Sequence, residues 1–401
     1  MLEQRVFYTA GEGGHALYRI PALVVTKAGT VLAFCEGRKD SWADTGEIRL
    51  LVRRSGDCGK TWSDPRVIVQ QTDTTCGNPC PVVDHRSGAV FLFFCKNPKL
   101  AGGTDLVALG QGTRSVWMTR SDDDGVTWSE PADLSAAIKK SNWTWYATGP
   151  GHGIQLASGR LIVPCCHTVA VNMKADDPEY AHIVYSDDGG ATWRLGGEFG
   201  PGCDEPAVVE LPDGRMYVNA RNQAPGEVGR RAYATSSDGG LTFDPRQVDS
   251  TLIEPTLWKG CQASLARFGE PRTEVSGLAR AANVNERAKE VSGLPGEPRT
   301  EVSGLLQTPP SRLGGATGDR DGVLFANPAT NVNERVNMAV RLSRDNCRTW
   351  PVSRVLHAGP AAYSDLTVAP DGTILCLYEG HNDNPYQTLR LARFGMDWLT
   401  E

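Results

Sequence analysis

With 401 residues, 40% of them hydrophobic and 22% charged, the chain can bury a large core as one big all-β domain or two ordinary ones. No run approaches the about 18 apolar residues of a helical membrane span. The net charge of −6, without a clustered basic stripe, argues against a nucleic-acid partner. The opening Met-Leu-Glu-Gln-Arg has no apolar run behind its basic residue, so no signal peptide is read. A cytoplasmic location is expected for the chain as given, and export would require a leader already removed. Eleven cysteines, odd in number and thinly spread, read as reduced thiols.

In chain order, YRIPAL at 18–23 sets Arg19 just before an apolar strand, and CEGRKD and WADTGEI follow with Arg38, Asp40 and Asp44. RLLVRRS then alternates as a strand does and runs into SGDCGKTW at 55–62. The pattern Ser-x-Asp-x-Gly-x-Thr-Trp returns as SDDDGVTW at 121–128 and SDDGGATW at 186–193, and in weaker form as SSDGGLTF at 236–243 and SRDNCRTW at 343–350. Its parts specify a hairpin turn. Asp accepts N–H groups just ahead of it, Gly supplies a positive φ, and Thr-Trp opens the next strand with its indole buried. The copies start 66, 65, 50 and 107 residues apart, which suits the four-stranded blades of a propeller with loops of variable length. Calcium binding is the rival for so acidic a repeat. An EF-hand loop, however, needs Gly at position 6 and Glu at position 12, which these copies lack. Asp57, Asp123, Asp188 and Asp238 are therefore assigned to turns.

Other motifs are quickly exhausted. Seven scattered histidines include no HExxH, and neither GxSxG nor a phosphate-cradling loop is present. CGNPC at 76–80 and Cys165-Cys166 lack the second half of a zinc site. GPGHG at 149–153 precedes a strand-like stretch and reads as a turn. The long last gap holds GEPRTEVSGL twice, at 269–278 and 296–305, and NVNER at both 283–287 and 331–335. Residues about 269 to 318 thus read as an insertion made by local duplication, a polar surface excursion that is helical around 279–291 or disordered, in an otherwise single domain spanning 1–401. A lid over the site is the alternative.

YRIP followed by five Asp boxes resembles the sialidase (neuraminidase) family, along nearly the whole chain outside that insertion. The resemblance implies a six-bladed β-propeller of four-stranded antiparallel blades and an exo-α-sialidase that releases terminal sialic acid from glycans or free sialosides. By it, Arg19, Arg221 in VNARNQ and Arg335 in NERVNMAV grip the substrate carboxylate, a task suited to planar, permanently charged guanidinium groups. Arg335 is chosen over Arg287 of the duplicated NVNER because LFANP precedes it and an Asp box follows. Asp44 matches the general acid/base, with Asp40 its competitor. Arg38 resembles an arginine near the sugar C4 substituent, Tyr363 in AAYSDL the nucleophile, Glu205 in CDEPAVVEL its partner, and Gln262 in GCQAS a residue on the glycerol-chain side.

Tyrosine is an exception to the usual carboxylate pair of glycosidases. Sialic acid carries a carboxylate on its anomeric carbon. That carboxylate repels an Asp or Glu nucleophile but admits a neutral phenol whose proton Glu205 removes. Two inversions give net retention. No metal or cofactor is called for, and a monomer is expected. Two other readings stay open. One is trans-sialidase action, which would need an aromatic acceptor platform such as Trp42 or Trp143. The other is a non-catalytic carbohydrate-binding propeller that shares only the Asp boxes.

Overall fold

The computed structural model describes residues 1–72, 74–98, 112–169, 178–269 and 321–401. The chain divides into a large unit, 1–268 with 322–401, and a separate unit, 269–321. Nearly all of the second unit, including Arg287 and the stretch expected to be helical or disordered, lies outside the described residues.

The large unit is built from short antiparallel strands. After β1 (Leu2–Thr9) comes an eight-stranded sheet made of two meanders. The first is β2 (Leu17–Val25), β3 (Val31–Arg38), β4 (Ile48–Ser55) and β5 (Arg66–Val69). The second is β6 (Thr75–Val83), β7 (Val90–Asn97), β8 (Ser115–Ser121) and β9 (Ala132–Asp133). A single parallel pair, Ile48 with Thr75, joins them. The next sheet holds β10 (Trp143–Thr148), β11 (Ile154–Gln155), β12 (Leu161–Val169), β13 (Glu179–Ser186) and β14 (Arg194–Phe199). A four-stranded sheet follows with β15 (Cys203–Glu210), β16 (Met216–Asn222), β17 (Arg230–Ser236) and β18 (Gln247–Ile253).

The last sheet has seven strands. It comprises β19 (Ser264–Phe268), β20 (Gly322–Pro328), β21 (Val336–Ser343), β22 (Val352–Val368), β23 (Ile374–Gly380), β24 (Thr388–Phe394) and, at its edge, β1. The long β22 serves twice, pairing with β21 up to Pro360 and with β23 from Ala361 onward. The N-terminal strand thus pairs with the last strand of the chain, Leu2 against Phe394. Among the described residues, no helix is long and apolar enough to cross a membrane.

Each Asp box is a turn locked by side chains. Ser55 Oγ donates to Asp57 Oδ1 at 2.8 Å and accepts the Gly59 N–H at 2.8 Å, while Asp57 accepts the Thr61 N–H at 2.8 Å and its hydroxyl at 2.7 Å. The same Ser–Asp–Thr arrangement recurs around Asp123, Asp188, Asp238 and Asp345. The sequence reading assigned the Asp and Gly roles; the serine and threonine hydroxyls are added by the structure. Where the last copy lacks Gly, Cys347 takes φ 62° in its place.

The aromatic residue that closes each box packs on the strands that precede it. Trp128 meets Phe34 edge-on at 5.7 Å, Trp193 meets Phe93 at 4.6 Å, and Phe243 meets Phe199 at 5.2 Å. Trp350 lies in one apolar cluster with Ala207 and Val209. In the first copy, Trp62 is edge-on to Phe7 of β1 at 4.9 Å.

Strand direction separates the boxes from the rest of the chemistry. Ser55 pairs with Val31 at one end of its sheet, and Arg38 pairs with Ile48 at the other. Ser236 likewise pairs with Met216, whereas Arg221 lies at the opposite end of β16. Phe268 pairs with Gly322, and the neighbouring Val323 faces Ser343, the first residue of an Asp box. The β19–β20 ladder is therefore intact up to residue 268, at the end of the sheet away from Arg335. Replacing residues 270–320 by a short Gly-Asn turn is accordingly expected to leave thermal unfolding within a few degrees of the full chain. A collapse of the melting transition would contradict it.

Candidate active site

Side chains from many strands meet at the sheet ends opposite the Asp boxes. The first strands of several meanders carry them, and there the ladder breaks. Register shifts fall between Arg19 and Ala22 in β2, between Asp204 and Ala207 in β15, and between Ala361 and Ser364 in β22. A bulge of this kind re-aims a side chain out of the sheet. Ile20 and Glu205 have φ of 55° and 42°, and each precedes a proline. Asn78, before Pro79 in the bulge of β6, repeats the pattern with φ 58°. Proline donates nothing to the ladder and bars the residue before it from the right-handed helical region. A β-branched residue at positive φ is strained, and Glu379 Oε1 holds Ile20 in place by accepting its N–H at 3.1 Å.

The centre of the site is a phenol on a carboxylate. Tyr363 donates its hydroxyl to Glu205 Oε1, across 158 residues of sequence. The other oxygen of Glu205 accepts from Arg221 at 3.0 Å. Arg335 lies 5.5 Å and Arg19 5.1 Å from the Tyr363 ring centroid. Arg19 also bonds Glu379 at 3.0 and 3.3 Å and stacks over Tyr386 at 4.5 Å. Beyond Arg19 sits Asp44, 3.9 Å away in the β3–β4 loop, bonded to Arg38 at 2.7 Å. Arg38 is buried and bonds Glu36 through Nε at 2.8 Å.

The arginines are fixed from behind by a strained turn. Trp258 and Lys259 have φ of 51° and 53°. The carbonyls of residues 258 to 260 consequently face the guanidinium groups. Arg221 donates to Trp258 O and, at 3.0 Å, to Lys259 O; Arg335 donates to Gly260 O at 2.7 Å. Arg335 Nε is buried without a partner among the described residues, a donor an anion would satisfy.

These groups tune one another. Burial pushes the Glu205 carboxyl up, and the Asp204 charge adds to that against the pull of Arg221. Burial, followed by the Glu205 charge, pushes the Tyr363 phenol well above its usual value, so it is neutral in the resting site. Nearby, Glu179 is pushed up to about 8 by burial and by Asp204. Surrounding protein raises the Asp44 carboxyl, but the Arg38 and Arg19 charges together outweigh that and hold it below the ordinary carboxylate range. Its side chain is 60% exposed, open to an incoming ligand.

Seven of the residues singled out from sequence therefore form one connected cluster: Arg19, Arg38, Asp44, Glu205, Arg221, Arg335 and Tyr363. Gln262 stands apart. It is fully buried; its Nε2 donates to Ser364 O at 2.9 Å, and its Oε1 accepts the Ser364 N–H at 3.0 Å. Its amide is committed to the chain. Trp143 is corrected as an acceptor platform, because it is buried in a stack on His167 at 3.5 Å. Trp42 is 72% exposed on the Asp44 loop, and Asp40 is exposed as well. Sequence reasoning missed Glu36, Glu379, Tyr386 and Trp258. The repeated X-Pro pairs of the bulges were a readable signal; Glu379 and Tyr386 carried none.

The chain is similar to known proteins along most of its length. A family model described as a BNR repeat-like domain matches residues 29–376. The human Sialidase-4 is 30% identical over 451 residues, covering 96% of this chain and 91% of that protein. The Micromonospora viridifaciens Sialidase is 32% identical over 402 residues. That alignment takes in 97% of this chain but only 53% of that protein, so the chain spans about half its length. This chain belongs to the sialidase family. It is accordingly an enzyme of the glycoside hydrolase type, an exo-α-sialidase. Among solved structures, the Hadza microbial sialidase Hz136 superposes with a TM-score of 0.77 at 25% identity, over 99% of this chain and 69% of that one. A Ruminococcus gnavus intramolecular trans-sialidase superposes at 0.72 with 20% identity, a likeness of fold alone. The sialidase meanders are thus those of a β-propeller.

The neutral phenol gives a direct check. A 295 nm difference titration of wild type minus Tyr363→Phe is expected to stay flat to at least about pH 10, the ordinary phenol value. Tyrosinate absorbance from this residue below that pH would contradict the buried Tyr363–Glu205 pair.

Proposed function

We propose that this sialidase hydrolyses terminal sialic acids from glycoconjugates with retention of configuration, through a covalent intermediate on Tyr363. The observation that carries the reading is the Tyr363–Glu205 hydrogen bond set among Arg19, Arg221 and Arg335. We propose further that the meanders are six blades around one axis. The double use of β22 and the single bridge between β4 and β6 support that count, since each divides a larger sheet into four-stranded halves.

The substrate carboxylate binds to the three arginines. They anchor the ring beside the phenol, a positioning contribution made before any bond changes. Glu205 takes the Tyr363 proton as its oxygen bonds the anomeric carbon, so free tyrosinate need not accumulate. Asp44 gives its proton to the departing aglycone oxygen. It then removes a proton from water as the water attacks the anomeric carbon, and Glu205 returns its proton to the Tyr363 oxygen as the bond from that oxygen to the sugar breaks. Arg38, bonded to Asp44 and buried beside Glu36, keeps the acid/base on its side of the sugar. Gln262 enters only indirectly, by holding Ser364 next to the nucleophile.

The test is release of 4-methylumbelliferone from its α-sialoside and of sialic acid from sialyllactose. Tyr363→Phe is expected to lose turnover on both substrates. Asp44→Ala is expected to lose on the order of 10²–10⁴-fold in kcat/KM on sialyllactose and much less in kcat/KM on the aryl sialoside, whose leaving group needs no proton, while kcat falls on both because the attacking water has lost its base. Asp44 also sets a pH signature. In the free enzyme its proton affinity is lowered by Arg38 and Arg19. A bound carboxylate shares the Arg19 charge and lets that affinity rise. The basic limb of kcat, which reports the complex, is therefore expected at higher pH than that of kcat/KM. Coincident limbs would remove Asp44 from the role.

A further inference from the structure

The GPGHG segment at 149–153 contributes no residue to the cluster described above, yet its histidine reaches the strand of the nucleophile. His152 Nδ1 lies 2.9 Å from both oxygens of Asp365, two residues beyond Tyr363 in β22. Asp365 is almost fully buried. Its Oδ2 also accepts the Leu23 N–H at 2.7 Å, and its Oδ1 the Leu366 N–H at 3.0 Å. With carboxylate oxygens on both sides of its Nδ1–H, His152 must donate. Burial alone would lower its proton affinity, but the Asp365 charge outweighs that and raises it. Gly151 has φ 102°, and a Cβ there would lie 3.3 Å from Asp365 Oδ1. At Gly153 a Cβ would come within 2.3 Å of Ile162 O. The two flanking glycines are what let the histidine approach.

The position of Tyr363 shows why this matters. At the bulge the β22–β23 pairing jumps from Ala361–Gly380 to Ser364–Tyr378, so the ladder does not hold the nucleophile. Side chains hold it instead, one residue at a time. Glu379 accepts the Tyr363 N–H at 3.2 Å, Gln262 clamps both backbone groups of Ser364, and His152 with the Leu23 N–H fixes the Asp365 carboxylate.

We propose that His152 and Asp365 are positioning residues, a buried clamp that braces β22 where its ladder resumes just beyond the bulge and so aims the Tyr363 hydroxyl at the anomeric carbon. The proposal rests on Tyr363 as nucleophile. Removing one partner of a buried, hydrogen-bonded charge pair leaves the other uncompensated, and Asp365, held then only by the Leu23 and Leu366 N–H groups, would relax toward other donors and displace the adjoining unpaired bulge that carries Tyr363. A displacement of about 1 Å at a reacting atom costs on the order of 10²-fold in rate. Carboxylate binding, which uses the arginines, is untouched.

The experiment measures kcat and KM on 4-methylumbelliferyl α-sialoside, and binding of the 2,3-didehydro analogue of sialic acid, at a temperature where each full-length variant is folded. His152→Ala is expected to lose kcat by on the order of 10²-fold, with KM and analogue affinity unchanged. His152→Gln, which offers a neutral donor, is expected roughly fivefold below wild type. Wild-type kcat in His152→Ala, or a loss that appears in KM and analogue binding, overturns the clamp. Should His152→Ala fail to fold, His152→Gln decides alone: wild-type kcat overturns the clamp, and lowered kcat at constant KM supports it. Tyr363→Phe separates the two readings. If that variant turns over normally, the nucleophile assignment fails; if it is inactive while His152→Ala is fully active, only the clamp fails.

Discussion

The pairing of β1 with β24 is the constraint on which the site depends. The first strand of the chain completes the edge of the last sheet, and Trp62 from the first Asp box packs against Phe7 of that same strand. Arg19 lies ten residues beyond Thr9, the end of β1, and bonds Glu379 near the other end of the chain. Because Asp-box aromatics pack each set of strands on the one before, the relation is carried around the protein by apolar contact. Such contacts are non-directional, and only the strand register gives them precision.

Upon that frame the site is assembled from interruptions. A regular ladder would spend each backbone N–H and C=O on a neighbouring strand and point side chains to the two faces of the sheet. At the bulges of β2, β15 and β22 the ladder gives way, and side chains from elsewhere take up the freed groups. Glu379 accepts the N–H groups of both Ile20 and Tyr363 while bonding Arg19. One buried carboxylate thereby sets Arg19 and Tyr363 relative to each other. The carbonyls of residues 258 to 260 do the same for Arg221 and Arg335.

Arginines and carboxylates share partners throughout the cluster. Glu205 shares Arg221 with Asp204, and burial keeps its proton affinity above the ordinary carboxylate value. Asp44 is held by Arg38 and Arg19. The acidic residues of the Asp boxes lie at the opposite sheet ends, so the arginines of the cluster are balanced by their own carboxylate partners and not by the boxes.

The sequence by itself determined the repeat, the all-β class, the sialidase family and seven of the residues that converge. Asp boxes and YRIP are local patterns, and local backbone requirements write themselves into consecutive residues. Tertiary structure alone decided the rest. Gln262 lies in a family-like motif, yet its amide is consumed by Ser364, a neighbour 102 positions away. Trp143 is an unremarkable aromatic in sequence and a buried stacking partner in space. Glu379 and Tyr386 carry no local signature, and GPGHG around His152 shows only a turn, because each of these side chains acts on residues from strands distant in sequence. Burial and partner choice are properties of packing between strands, and no pattern confined to one strand can encode them.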